Sequence, residues 1–496
     1  MRRLPQDVLS EIFLQCLPKN RLPLNSIAEA PLLLTRVCRS WRSIALSTPR
    51  LWRAIHLAPP GISRRPVDDR YRAKVNTLTE GLKVWLERAR RVPLTISIAM
   101  PPPAPGLGKS RAEMNEAYSE LMNIIPRYSR QLKGLCLRGL WYQLIPLTFH
   151  NLTADDIPLL ESLHIGGNYF FPGSDSTSYP LSKLLRAPSL RSVSITDHSL
   201  AADPFTLPVS WHTLTELRMN TKTTQSRPKQ LIHTIACTCP SLRICELSFS
   251  VGSPGDFTED LHLPVHRWRH LWRLDIAVLI ENDAAQPSIM KIFDVVETPS
   301  LSWLALGVLV HMQYHLDMVP FLDCLARSRC SITHMDLELC LSSEMLIACL
   351  ERVPSLTTLR VSGQEIERPR ANYMTNEWVT SPHPPPAVTP DVIRRLGAPD
   401  VGEVLCPRLE RITLERVDFV LADQLAALVV ARSGQDGSES AKLLSLKVVF
   451  QSLRYDASVE KIALLKERGV VLSWVHDPED VKESSTYRMP QTPIDY

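Results

Sequence analysis

A chain of 496 residues exceeds one ordinary domain, and 44% hydrophobic residues supply a large core. A net charge of +4 is too small at this length to point to nucleic acid. No apolar run reaches the ~20 residues that a membrane-crossing helix needs, and 40 prolines against 18 glycines predict many short elements joined by stiff corners.

The eleven cysteines are odd in number, stand singly and mostly within apolar runs, and include no CxxC pair. That is the pattern of free thiols in a reducing compartment, cytoplasmic or nuclear, rather than of a disulfide frame or a zinc module. Asp7 and Glu11 interrupt the first apolar segment, which is unlike a secretory leader.

In chain order, LPQDVLSEIFLQCL predicts a first helix. Pro5 suits the opening turn, where its missing amide costs nothing, and Asp7 sits at the positive end of the helix dipole. Val8, Leu9, Ile12, Phe13, Cys16 and Leu17 recur at helical spacing as one stripe, which Pro18 and Asn20 end. After a proline-containing loop, Leu34, Val37, Cys38, Trp41, Ile44 and Ala45 form a second stripe, stopped by Pro49. Leu51 and Trp52 follow as a last apolar anchor. Periodicity leaves two readings open: both stripes pack on each other and on the rest of the chain, or part of the first is a docking face for another protein.

Three blocks, LPQDVLSEIF, RVCRSWRSIA and STPRLW, lie in this order over residues 4–57. Together they resemble an F-box, in the leucine-proline helix start, the valine-cysteine and arginine-tryptophan middle and the leucine-tryptophan close. The resemblance implies docking onto a Skp adaptor and, through it, a cullin scaffold. Carried over by position, it assigns adaptor contacts to Leu4, Pro5, Val8, Leu9, Ile12 and Val37, with Phe13 grouped on the same stripe. Cys38, Trp41, Leu51 and Trp52 are expected in the module's own core. The loop NRLPLNSIAEAP is longer than in compact F-boxes. Residues 1–57 carry nine basic side chains against three acidic ones, a surplus that suits an acidic partner or a solvated face.

Past residue 57, VNTLTEGLKVWLERARRVPLTISIAM reads as a helix, a proline corner and a strand alternating Leu94, Ile96 and Ile98. One hexapeptide then recurs: apolar, two residues, apolar, one residue, apolar. Its eleven copies start at Leu132, Leu160, Leu190, Leu214, Leu242, Leu271, Leu301, Ile332, Leu356, Leu409 and Leu443. In six of them a proline (Pro158, Pro188, Pro240, Pro299, Pro354, Pro407) stands two residues earlier. Helix-like stretches fall between, among them LSKLLRA, KQLIHTIACTC, SIMKIFDVVE, VPFLDCLARS and SEMLIACLERV. Strand, crossover helix and parallel strand, repeated, build a solenoid; an open α/β layer of less uniform curvature is the rival. The pattern resembles degenerate leucine-rich repeats, its fuller form appearing at Asn168 and Cys340.

The expected organisation is therefore α/β. A small all-α F-box module spans 1–57, a linker and helix 58–91, and a leucine-rich-repeat-like α/β solenoid 92–474. An insertion loop occupies about 365–403, with a helix at VIRRLG, and a disordered tail 475–496. KIALLKERGVVLSWV reads as a final helix and strand.

Catalytic constellations are not apparent. PAPGLGKS ends like a phosphate loop, but Pro103 stands where that loop needs glycine and Pro105 lies within the turn. His262, His266 and His270 are four apart, yet Pro264 would break a shared helix and no acidic ligand lies between them. Surface histidines are the expectation, with no metal and no cofactor. Neither GxSxG nor HExxH occurs, and the Asn151-Leu-Thr sequon is expected to go unused. Arg267, Trp268, Arg269, Trp272 and Arg273 interleave as interface residues often do, although Trp272 lies inside a repeat. The expected function is that of a non-catalytic, substrate-recognition subunit of an SCF-type ubiquitin ligase, its F-box on the adaptor and its solenoid on a protein substrate. The alternative is an F-box and solenoid scaffold without ubiquitylation. No residues are assigned to substrate, and neither nucleic acid nor membrane is an expected partner.

Overall fold

The computed structural model describes residues 4–58, 69–99, 110–139, 148–149, 151–166, 182–196, 205, 207–222, 228–251, 263–280, 289–310, 316–362, 370–371, 378–379, 387–397, 404–433, 441–450 and 459–474. Most of the expected linker, residues 103–109 of the PAPGLGKS string, Asn168, His262 and the tail lie outside these residues. The chain divides into two compact units, Met1–Thr221 and Lys222–Met489.

The first unit opens with α1 (Gln6–Gln15), which begins directly after Pro5 and carries Asp7 in its first turn. The second stripe forms two helices rather than one, α2 (Leu34–Val37) and α3 (Arg39–Ser47). Cys38 between them is extended (φ −156°, ψ 171°) and its Sγ accepts the Trp41 amide, so it caps α3 and points out of the core expected for it. A 3₁₀ turn at Pro49–Trp52 leads into β1 (Ala54–Leu57). The opening segment is thus not all-helical: β1 pairs in parallel with β2 (Leu94–Ala99), Ile55 opposite Ile96 and Leu57 opposite Ile98.

What fixes this segment is an indole pair. Trp52 is fully buried and donates its ring N–H to the Ala45 carbonyl at 2.9 Å. Its own carbonyl accepts the ring N–H of buried Trp85, also at 2.9 Å, and the two rings meet edge to face with centroids 4.9 Å apart. Arg88 covers the Trp52 ring at 4.5 Å. Trp85 and Arg88 belong to α4 (Asp69–Ala89), whose Val75, Leu82, Trp85, Leu86 and Ala89 are buried. Each hydrogen bond satisfies a donor that would otherwise be buried unpaired, at a cost of about 1–3 kcal/mol.

Beyond α4 and β2 come α5 (Ser110–Ile124), β3 (Leu132–Arg138), β4 (Ser162–Gly166), a short α6 (Ser182–Leu185), β5 (Ser192–Thr196) and β6 (Glu216–Lys222). The strands pair in parallel with neighbouring strands, and one register repeats: Leu135, Leu163, Val193 and Leu217 lie side by side, as do Leu137, Ile165, Ile195 and Met219. Every one of these residues is buried.

The second unit continues the scheme with α7 (Pro228–Thr238), β7 (Ile244–Val251), β8 (His266–Arg267), β9 (Arg273–Ile280), β10 (Val296–Glu297) and β11 (Trp303–Val310). Then follow α8 (Val319–Ser328), β12 (His334–Glu338), α9 (Ser343–Glu351) and β13 (Thr358–Ser362). Short β14 (Arg370–Ala371) and β15 (Trp378–Val379) pair antiparallel, ahead of α10 (Pro390–Gly397), so the expected insertion loop contains regular structure. The chain runs on through β16 (Arg411–Val417), α11 (Ala422–Ala431), β17 (Ser445–Phe450), α12 (Val459–Glu467) and β18 (Val471–Trp474). SIMKIFDVVE forms a 3₁₀ segment at Ile289–Val295 where a helix was expected. Two buried rows again cross the sheet, from Cys245 through Leu274, Leu304, Met335, Leu359 and Ile412 to Leu446, and from Leu247 through Ile276, Leu306, Leu337, Val361 and Leu414 to Val448.

All eleven hexapeptides enter strands, each strand beginning within two residues of the copy's first apolar position. That first residue is buried in ten of the eleven copies (Leu443 is half-buried) and sits at the corner before or at the start of the strand, while the next two apolar residues supply the two rows. Both units are α/β with parallel sheets.

Trp52→Ala removes the aromatic clamp and the indole donor to the Ala45 carbonyl, while the backbone carbonyl that accepts from Trp85 stays. It is expected to cost about 3–5 kcal/mol, read as faster amide exchange over residues 39–57 and a lower unfolding midpoint.

Candidate functional site

One exposed apolar surface of the first unit lies on and just before α1. Leu4, Val8 and Ile12, four residues apart, are 54%, 44% and 43% exposed, and Pro5 beside them is exposed as well. Val8 and Ile12, one turn apart, share one side of α1, while Leu4 stands in the segment just before it. Leu9 is half-buried at the flank. Phe13, grouped with this stripe by sequence, is fully buried and packs on Trp41 with ring centroids 4.9 Å apart. It belongs to the core, because a residue at i+1 from Ile12 turns about 100° away from the outward row. Val37 is exposed on α2, four residues after exposed Leu33. Leu51 and Trp52 are buried where the sequence placed them, and Trp41 is half-buried.

The outward row does not come from a loose helix. Ser10 meets Thr48 at 3.2 Å, and Arg50 pairs with Glu11 at 2.6 Å. The ion pair is exposed and contributes little, but Phe13 anchors the helix from beneath. The loop that follows is tied by the Arg21–Glu29 ion pair, with Glu29 also accepting the Leu24 amide. Hydrogen bonding from Arg21 holds the Glu29 carboxyl below its ordinary pKa, against the opposing effect of burial. Arg36, Arg39, Arg42 and Arg53 are exposed on the same module.

A second surface is the polar side of the strands in the second unit. Between its two buried rows run half-buried Glu246, Asp275, Asp336, Arg360 and Lys447, in register. Arg360 is the hub: it reaches Asp336 at 2.7 Å and forks onto Glu415 at 2.8 and 3.0 Å. Arg273 plays the matching part for Glu246 at 3.2 Å and lies over the Trp303 ring at 4.7 Å, while Trp303 stacks on His334 at 4.8 Å. In the first unit the equivalent side carries His164, which accepts a hydrogen bond from Arg138 at 3.2 Å. Desolvation, reinforced by Arg138 and Arg218, brings its pKa down to about 3 and keeps the imidazole neutral.

Of the three histidines spaced four apart, His266 lies in β8 and is half-buried beside His233 and Cys237 of α7. His270 is exposed after the strand. Trp268 is buried and Trp272 is exposed, the reverse of the arrangement that placing Trp272 within a repeat implied. No helix among the described residues is long and apolar enough to cross a membrane.

Neither a protein-family model nor a curated protein matches this sequence.

Arg360 sets a pH prediction. Burial alone would raise the Glu415 pKa, but the Arg360 hydrogen bond and charge outweigh it and lower the value. A carboxylate depressed in the folded state stabilises above its unfolded pKa, and that stability is lost as pH falls through the folded one. Arg360→Met should therefore lower stability by about 3 kcal/mol at neutral pH. The gap from the parent should narrow as urea unfolding is repeated down through the carboxylate range.

Proposed function

We propose that the chain is a substrate-recognition subunit of an SCF-type ubiquitin ligase. In this reading, residues 4–57 form an F-box that docks on a Skp adaptor, itself bound to a cullin. The parallel-sheet units that follow act as a solenoid-like receptor for a protein substrate. The observation that carries the reading is the outward pair Val8 and Ile12 on α1, with exposed Leu4 just ahead of it, on a helix anchored by buried Phe13. These three exposed apolar residues stand at positions where the F-box resemblance puts adaptor contacts.

Burial of such side chains yields ~1.5–3 kcal/mol each when complete, so a row of three or four, with Val37, supports a stable complex once rotational and ordering costs are met. The exposed arginines of the module favour an acidic adaptor surface and faster encounter. The polar sheet side, with its carboxylates, guanidinium groups and the Trp303–His334 stack, offers the hydrogen-bonding and stacking groups that read a folded protein or peptide. The chain's contribution would be proximity: it holds a substrate's lysines near a transferring enzyme and performs no bond chemistry itself. A scaffold that recruits the adaptor without ubiquitylation shares the first half of this reading.

Val8→Asp combined with Ile12→Asp is expected to abolish co-purification of the adaptor with the full chain while leaving the unfolding free energy within about 0.5 kcal/mol of the parent. Retention of adaptor by that variant would remove the F-box reading. Cullin in the parent complex, together with a substrate that accumulates when the chain is absent, distinguishes the ligase subunit from the scaffold.

A further inference from the structure

Helix α7 places His233 and Cys237 four residues apart on one side. Against them lies His266 from the two-residue strand β8. The Cys237 Sγ is 3.3 Å from His266 Nε2 and 3.7 Å from His233 Nε2, and one donor atom from each of the three side chains lies within 4.8 Å of the others. The two imidazoles meet edge to face with centroids 4.6 Å apart.

Those separations match a coordination shell. With Zn–N near 2.0 Å and Zn–S near 2.3 Å, tetrahedral ligand atoms stand about 3.3–3.6 Å apart. The two sulfur-to-nitrogen distances bracket that range, and the two imidazole nitrogens, within 4.8 Å of one another, would draw together around an ion. Both ligand-bearing elements rest on the core. Leu231, Ile232, Ile235 and Ala236 bury the opposite side of α7. His266 is paired with Val296 of β10, and the following Trp268 is buried, its amide donating to the Glu297 carbonyl at 2.8 Å. The donor set is thus held in place before any ion arrives.

The surroundings fit a cation. Lys229, one turn before His233, is drawn to Asp294 at 3.6 Å, and Arg267, next to His266, to Glu297 at 3.2 Å. Nδ1 of His233 is closed to solvent and makes no regular hydrogen bond, while the Pro264 carbonyl acts on the same ring. Ligation through Nε2 puts the ring proton on Nδ1, where that carbonyl is the available acceptor, as in metal-bound histidines generally. One thiolate and two imidazoles exclude magnesium and calcium, which take oxygen ligands, and favour a borderline-soft ion.

We propose that His233, Cys237 and His266 form a three-ligand site for one zinc-class divalent ion that cross-links α7 to β8. Binding displaces the thiol proton to solvent and forms one Zn–S and two Zn–N bonds. Cys237 is exposed, so the fourth position is open to water. The site is independent of adaptor docking.

The test uses the reduced, chelator-treated full chain, with Cys16 and Cys38, the other exposed thiols, replaced by serine. Co(II) titration is expected to saturate at one equivalent, with ligand-field bands of a four-coordinate ion and a sulfur-to-cobalt charge-transfer band, all bleached by Zn(II). Cys237→Ser should lose the charge-transfer band, and His266→Gln should weaken Co(II) binding roughly tenfold or more. Zn(II) should raise the thermal midpoint of the parent and of neither variant, with metal-free midpoints showing that both fold. The proposal is overturned if no stoichiometric band appears, or if the charge-transfer band survives in Cys237→Ser. It is equally overturned if Zn(II) stabilises parent and variants alike.

Discussion

The constraint on which the rest depends is lateral. A strand carrying two inward apolar residues buries them only when its neighbours present theirs at the same height. Leu135, Leu163, Val193 and Leu217 satisfy that condition in the first unit, and Cys245 through Leu446 in the second. A slip by one residue in any strand would turn its pair outward and leave gaps in both rows. Register, and with it the placement of every polar side chain between the rows, follows from that one condition. Arg360 meets Asp336 because Leu359 meets Met335.

This also explains what sequence reading could see. The hexapeptide records a strand's inward positions, a local property, and so each copy leads to a strand even where Gly134, Ser194 or Asp336 occupies the remaining positions. The proline two residues upstream in six copies marks the corner, where a residue without an amide donor costs nothing. Amphipathic stretches likewise gave α7, α8 and α9. In the candidate site, the helix carrying Val8 and Ile12 and the apolar anchor Leu51 and Trp52 were legible for the same reason, whereas the outward facing of Val8 and Ile12 was expected only from the F-box resemblance.

What escaped was whatever depends on distant parts of the chain or on one backbone torsion. Nothing around Cys38 announces that it turns extended and splits the second stripe, yet that single residue exposes Cys38 itself. Phe13 and Ile12 are equally apolar; only the position of Trp41 decides which is core. AIHL is too short to register as a strand until Ile96 and Ile98 lie beside it. His233 and Cys237 are separated from His266 by a strand and a long connection, so the histidine spacing that sequence did offer, with His270, drew attention to the wrong companions. Spacing of four along the helix, with a thiol and an imidazole, was the signal available.

The relay from Ala45 through Trp52 to Trp85 has a mechanical consequence. The amino-terminal helices are not beads on a string but are welded to the long α4 and to the sheet's edge through β1. Whatever grips α1 therefore acquires the first unit as a stiff extension of itself, with orientation conserved. Swivel must come from the gripping body or from beyond this unit, and anything resting on these strands keeps a fixed bearing from the point of attachment.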